Sequence, residues 1–135
     1  MRYLLDTNTC IQFLNSRNSA LQRRLAAISR DDVAICQIVK AELFYGAYRS
    51  SRREANLALL AKFFSQIVSL PFDDASAEIY GRVRAELARA GTPIGPYDLM
   101  IAAIALAFDV TLVTHNTGEF SRVQGLRLED WEQPA

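Results

Sequence analysis

The chain of 135 residues has little of what usually announces a special chemistry. It contains one histidine, His115, and two cysteines, Cys10 and Cys36, without C-x-x-C spacing. Neither a disulfide framework nor a structural zinc site is therefore expected, and the cysteines read as small buried hydrophobes. No apolar run approaches the roughly 18 residues of a membrane span, and the opening MRYLLD meets an acid before a signal-peptide core can develop. The expectation is a cytoplasmic protein without a membrane partner. Net charge is absent as well: 15 Lys+Arg stand against 15 Asp+Glu, which argues against coating DNA or membranes through bulk positive charge. No repeat, linker or low-complexity tract interrupts the chain, and half its residues are apolar, enough for one core. A single domain over residues 1–135 is expected.

The neutrality hides two opposed halves. Met1 to Lys62 carries ten basic and five acidic residues, and Phe63 to Ala135 carries the reverse. Thirteen of the basic residues are arginine, whose planar fork matches phosphate, so a polyanionic partner stays open.

Short apolar runs alternate with segments of helical period, the pattern of a mostly parallel α/β sheet with helices on both faces. Strands are expected at Tyr3–Leu5, Val33–Cys36, Ile67–Leu70, Thr111–Thr114 and, more weakly, Leu126–Leu128. Between them lie helices over Asn8–Asn15, capped by Asn8 or Thr9, over Leu21–Ile28, and over Ile38–Tyr48. Two more are expected over Arg53–Gln66, with Leu57, Leu60, Ala61 and Phe64 on one face, and Asp74–Ala90, with Ala77, Tyr80, Val83, Leu87 and Ala88 inward and Gly91 ending it. Pro96 suits the first position of a further helix, Asp98 then falls where the helix dipole favours a carboxylate, and the ten apolar residues after it predict burial on most sides.

In such sheets ligands bind outside the carboxyl ends of the strands. Asp6 directly follows the first strand, Glu42 lies one turn into the helix after the second, Asp98 opens the buried helix, and Asn116 and Glu119 follow the fourth strand. Each has an ordinary alternative: Asp6 as a helix cap, Glu42 as a helix acid beside an Ile38-Ala41-Tyr45 stripe, Asp98 as a dipole-complementing acid, Asn116 as a turn residue and Glu119 as a first-turn acid. Their convergence on one rim weighs against five independent accidents. Clustered carboxylates without basic partners repel one another, and a divalent cation normally holds such a site. Oxygen ligands suit Mg²⁺ or Mn²⁺, and the chemistry most often run there is phosphodiester hydrolysis.

The segments Leu4-Leu5-Asp6-Thr7-Asn8, Ala41-Glu42-Leu43 with Tyr45-Gly46, Arg84-Ala85-Glu86-Leu87-Ala88 leading to Pro93-Ile94-Gly95-Pro96-Tyr97-Asp98-Leu99-Met100-Ile101-Ala102, and Leu112-Val113-Thr114 with Asn116-Thr117 and Glu119-Phe120 together resemble a VapC toxin of the PIN-domain ribonuclease family. The resemblance runs from Tyr3 to Trp131. It implies a three-layer α/β/α PIN-like fold with a parallel five-stranded sheet in the order 3-2-1-4-5, and an acidic pocket binding Mg²⁺ or Mn²⁺. Asp6, Glu42 and Asp98 match the three family acids, with Asp6 and Asp98 the foremost metal ligands and Glu42 completing the set. Asn116 matches a fourth catalytic position, Glu119 a supporting one, and Thr7, Asn8 and Thr114 match polar positions that orient the acids. His115 receives no role and is expected to face solvent.

The same resemblance implies a toxin of a type II toxin–antitoxin system that cuts structured RNA, commonly tRNA, to leave a 3′-hydroxyl and a 5′-phosphate. The Ile-Gly-Pro-aromatic-Asp motif points to the anticodon loop of initiator tRNA. The expected partners are a VapB-type antitoxin whose tail blocks the pocket, a second copy of the chain, and operator DNA reached through the antitoxin in a hetero-octamer. Arg23, Arg24, Arg49, Arg52 and Arg53, all in the positive half, are the candidate RNA contacts. Two other readings compete. An aspartate-dependent phosphatase also puts an acid after its first strand, but Asp6-Thr7-Asn8 lacks the second carboxylate and no lysine follows Lys62. A non-catalytic scaffold that binds RNA or protein is opposed by the intact acids.

Overall fold

The computed structural model describes residues 1–133. Five strands, β1 (Tyr3–Leu5), β2 (Val33–Cys36), β3 (Val68–Leu70), β4 (Thr111–Val113) and β5 (Leu128–Glu129), form one sheet in the order β3-β2-β1-β4-β5. Every pairing is parallel. Successive strand residues point to opposite faces, yet all of Tyr3–Leu5 and Val33–Cys36 are buried, so both faces of the sheet are covered and the molecule has three layers. The strand order implied by the family resemblance is the order observed.

Among the described residues seven α-helices connect the strands: α1 (Thr7–Leu14), α2 (Ser19–Ala27), α3 (Gln37–Arg49), α4 (Arg53–Phe64), α5 (Asp74–Ala90), α6 (Pro96–Ala107) and α7 (Thr117–Phe120). Helix α5 has the expected bounds, because Asp73 caps its first turn through the Ser76 amide and Gly91 ends it in the left-handed conformation at φ 74°. Pro96 takes the first position of α6, and Leu99 and Ile101–Ala105 are buried, so this helix lies in the core. Among the described residues no helix is long and apolar enough to cross a membrane.

Several local expectations need correction. The cap of α1 is Asp6, not Asn8 or Thr9: its Oδ1 accepts the Thr9 amide at 2.8 Å. Strand β3 begins at Val68 instead of Ile67, β4 stops at Val113, and β5 is Leu128–Glu129, where it pairs with Leu112 and Val113. On α5 the buried residues are Ser76, Val83 and Leu87, with Ala77 and Ala88 exposed; on α4 they are Leu60 and Phe63, with Ala61 exposed. On α3 the buried stripe is Val39, Leu43 and Ala47, so the Ile38-Ala41-Tyr45 stripe faces an open groove. Alanine explains the α4 and α5 cases: its single methyl group stabilises either face too weakly to decide which turns inward.

Chain order reverses between the central strands. From β1 the chain moves outward through β2 to β3, then crosses back to β4 on the other side of β1. Leu5 is in register with Val113, and the Asp6 amide donates to the Val113 carbonyl at 3.1 Å. Asp6 and Thr114 thus emerge side by side at the topological switch point, where open α/β sheets bind ligands.

Candidate active site

Asp6 is 4 % exposed. Burial pushes its carboxyl above the usual aspartate value, while the Thr114 and Thr9 side chains and the Thr9 amide pull it back. Position and constraint come from one device: the residue that ends β1 also caps α1, and the cap fixes one carboxylate oxygen. The alternatives of cap and site acid are therefore not exclusive.

Glu42 sits one turn into α3 and accepts a 2.7 Å hydrogen bond on Oε1 from the Thr7 hydroxyl of α1. Asp98 lies in the first turn of α6. Its carboxyl is pushed up to about 6, first by burial and then by the charges of Glu119, Glu42 and Asp6. Acids from three other segments thus act on the Asp98 carboxyl, so these four acids lie near one another at the strand ends.

Glu119 and Asn116 form the far wall. Asn116 Nδ2 donates to Glu119 Oε2 at 2.7 Å, and the Gly95 amide donates to Glu119 Oε1 at 3.1 Å. Glu119 therefore ties the start of α7 to the turn before α6. Because Nδ2 must face the carboxylate, the Asn116 Oδ1 is left as an acceptor. The Asn116 amide is held by the Thr114 hydroxyl at 3.0 Å. Asn8 is exposed and, with Thr7 and Glu42, lines the adjacent groove.

The expected arginines separate. Arg24 is engaged, 3.3 Å from Glu129 with its guanidinium 5.5 Å from the Trp131 ring. Arg53 donates to the Tyr48 carbonyl at 3.0 Å, and Arg49 lies over Tyr45. Arg23 and Arg52 are exposed. Histidine 115 faces solvent as expected but also meets Asp130 at 3.0 Å, which raises its pKa.

Asp130 was not foreseen. Its charge raises the Asp6 carboxyl, and with His115 and Glu132 it forms a group whose possible ligand atoms lie within 4.8 Å of one another. The signal was present, since Asp130 directly follows β5 as Asp6 follows β1, but the strand had been expected to end at Leu128. Among the described residues, the ion pairs run from the amino terminus, Arg24, Arg82, His115 and Arg127 to Asp32, Glu129, Glu86, Asp130 and Asp109. None relieves Asp6, Glu42, Asp98 or Glu119.

Comparison with known proteins agrees with this geometry. The PIN domain family model matches residues 3–126. The chain is 42 % identical over 131 residues to the tRNA(fMet)-specific endonuclease VapC of Shigella flexneri, covering 97 % of this chain and 98 % of the relative. It is 38 % identical over 134 residues to Ribonuclease VapC2 of Rickettsia felis, covering 98 % and 100 %. A chain in the crystal structure of DNA-bound VapBC from Salmonella typhimurium superposes with a TM-score of 0.92 at 41 % identity, over 97 % of this chain and 98 % of the other. The switch-point acids, the strand order and these full-length matches agree: the chain belongs to the PIN-domain family and, within it, to the VapC proteins.

Proposed function

We propose that the protein is the toxin of a toxin–antitoxin pair, an endoribonuclease that hydrolyses structured RNA with a divalent cation, Mg²⁺ or Mn²⁺. The observation that carries this reading is Asp98, crowded by Glu119, Glu42 and Asp6 with no cationic side chain among the described residues paired to any of them. The names of the relatives support RNA as substrate, and the anticodon loop of initiator tRNA is the favoured target. The VapBC complexes, some bound to DNA, support a VapB-type antitoxin as partner, with a homodimer and a hetero-octamer on operator DNA as the assembly. One catalytic domain over residues 1–135, acting in the cytoplasm, completes the reading.

In residue type the donor set suits a hard cation: three carboxylates from three elements, with the charges of Glu42 and Asp6 opposing ionisation of Asp98. Asp6, Asp98 and Glu42 would hold it. When bound, such an ion activates water and neutralises charge on the leaving oxygen. The remaining work belongs to the chain. The Thr9 amide keeps the Asp6 carboxylate from swinging, the Thr7 hydroxyl does the same for Glu42, and Glu119 orients Asn116 so that its Oδ1 can accept a hydrogen bond from water. Thr114 braces both Asp6 and the Asn116 amide. Exposed Arg23, Arg49 and Arg52 supply phosphate contacts.

The test is to sequence RNA ends after brief expression of the wild type beside Asp6→Asn, which keeps an oxygen to cap α1. New 5′ ends confined to one tRNA anticodon loop, in the wild type alone, are expected. Identical ends in both samples would overturn the reading. A second expectation concerns Thr7→Val, which removes the 2.7 Å donor to Glu42. Calorimetric titration with Mn²⁺ should show affinity lowered about 10- to 100-fold; unchanged affinity would mean that Glu42 is not held for the ion.

A further inference from the structure

A groove of about 580 Å³ opens beside the acids, lined by Thr7, Asn8, Ile11, Ile38, Ala41, Glu42, Tyr45 and Tyr97. Its volume falls within the roughly 300–1,000 Å³ of small-ligand sites. Two of its walls are aromatic and unusually open: Tyr45 is 66 % exposed and Tyr97 61 %. Tyr97 directly precedes Asp98, and Tyr45 lies one turn after Glu42 on α3, so each ring is tied to a site acid by its own helix. Thr7 and Glu42 form part of the groove wall, which makes groove and acid site continuous.

The charge around the rings favours a nucleic acid over a peptide. The Arg49 guanidinium lies 5.5 Å from the Tyr45 ring centre, and Arg53 lies 6.0 Å from that of Tyr48, which is itself 56 % exposed. Two α3 rings, each with a guanidinium beside it, Arg49 from the end of α3 and Arg53 from the start of α4, offer stacking surfaces next to phosphate contacts, the combination by which proteins hold single strands.

We propose that this groove holds an unpaired RNA base adjacent to the phosphodiester that is cut, stacked against Tyr97 and Tyr45. The inference rests on the RNA-cleaving reading and adds a substrate requirement to it. A phosphate at the acids has its neighbouring nucleoside at the groove mouth, and a base in a duplex cannot enter because its faces are already stacked. The rings thus select loops over helices.

The experiment uses the initiator tRNA anticodon stem–loop, with an abasic nucleotide moved through the loop. Cleavage is followed for wild type, Tyr45→Ala, Tyr97→Ala, the double variant, and the two Tyr→Phe variants. Binding is followed by anisotropy on an Asp6→Asn background. Each Tyr→Ala change should lower kcat/KM on intact RNA by roughly 5- to 150-fold, the worth of one stacked base. At one loop position the abasic RNA should be cut and bound as poorly by wild type as by the alanine variants, with no further loss when both changes are combined, while Tyr→Phe stays near wild type. Unchanged kinetics and binding in the double variant would overturn the proposal and leave the cleavage reading intact. Equal losses on every abasic RNA would also overturn it, as would a loss confined to antitoxin affinity, which would assign the groove to the antitoxin. Binding that depends on the tyrosines and on one base, without cleavage by wild type, would sustain the groove and overturn the cleavage reading. RNA that wild type neither cuts nor binds overturns both.

Discussion

Asp98→Asn is expected to lower RNA cleavage on the order of 10³-fold while making the metal-free protein more stable at neutral pH. The loss follows from removing a charged ligand where charge stabilisation is worth several kcal/mol, at about 1.4 kcal/mol for each tenfold in rate. The gain follows from the crowding itself. The Asp98 carboxyl is raised from 3.8 to about 6 by burial and by Glu119, Glu42 and Asp6, so between those values the folded protein holds a proton that the unfolded chain has released. That proton's stabilisation is complete below about pH 3.8 and is lost as pH rises through about 6. Asparagine has no charge to accommodate, so melting temperatures compared at pH 5 and pH 7.5 should fall less across that interval in the variant than in the wild type. Adding Mn²⁺ should raise the wild-type melting temperature more than the variant's, because a ligand stabilises the form that binds it better. Parallel pH profiles, or cleavage near the wild-type rate, would show that Asp98 is an ordinary helix-start acid. The reciprocal effects on stability and activity belong to sites whose charges are arranged for a ligand and not for the fold.

Trp131→Ala should cost about 3–5 kcal/mol of stability, the largest loss expected from a single truncation here. Trp131 is 1 % exposed although it lies beyond the last strand. Its ring packs edge-on against Tyr3 of β1, with centres 4.9 Å apart and planes at 68°, and its Nε1 donates to Glu129 Oε1 at 2.9 Å. Arg24 of α2 lies against the same ring and pairs with the same glutamate. Removing the indole would open a cavity against the central strand and strip Glu129 of a donor. Urea unfolding would register this as a midpoint lowered by more than 1 M, given a slope of about 1–3 kcal/mol/M for small proteins. A midpoint unchanged from wild type would mean that residues after β5 only lie against a core complete without them. Trp131→Phe should keep much of the packing and lose the hydrogen bond.

Strands β1 and β2 were legible because their apolar residues are contiguous and buried on both faces, which leaves little ambiguity of period or side. Helix α5 was legible at both ends because Asp73 and Gly91 each serve a backbone requirement that few residues meet. Asp6 was legible for a related reason: a residue that directly follows a parallel strand emerges on the ligand-binding rim whatever the rest of the chain does. Glu42 and Asp98, inside helices, were picked out by their place near a helix start and by the motifs of the family resemblance. Asp130 escaped only because β5 is two residues long and ends one position later than its apolar pattern suggested.

Other properties had no local signature. Arg24 looked like a phosphate contact, yet its partner Glu129 lies 105 positions away along the chain. Nothing in the Ile38-Ala41-Tyr45 stripe beside Glu42 told which side of α3 turns inward; Val39, Leu43 and Ala47 are the buried residues and Tyr45 is left in the open. The crowding that raises the Asp98 carboxyl depends on the distances among acids from four segments. Composition and periodicity were enough for the layered sheet and its helices, and end-of-strand position for Asp6, because each is a near-neighbour constraint on a short stretch of backbone. Which side of a helix turns inward, which arginine is engaged and how strongly the acids repel one another emerged only from the packed chain, because burial and Coulomb energy depend on separations in space that sequence distance does not encode.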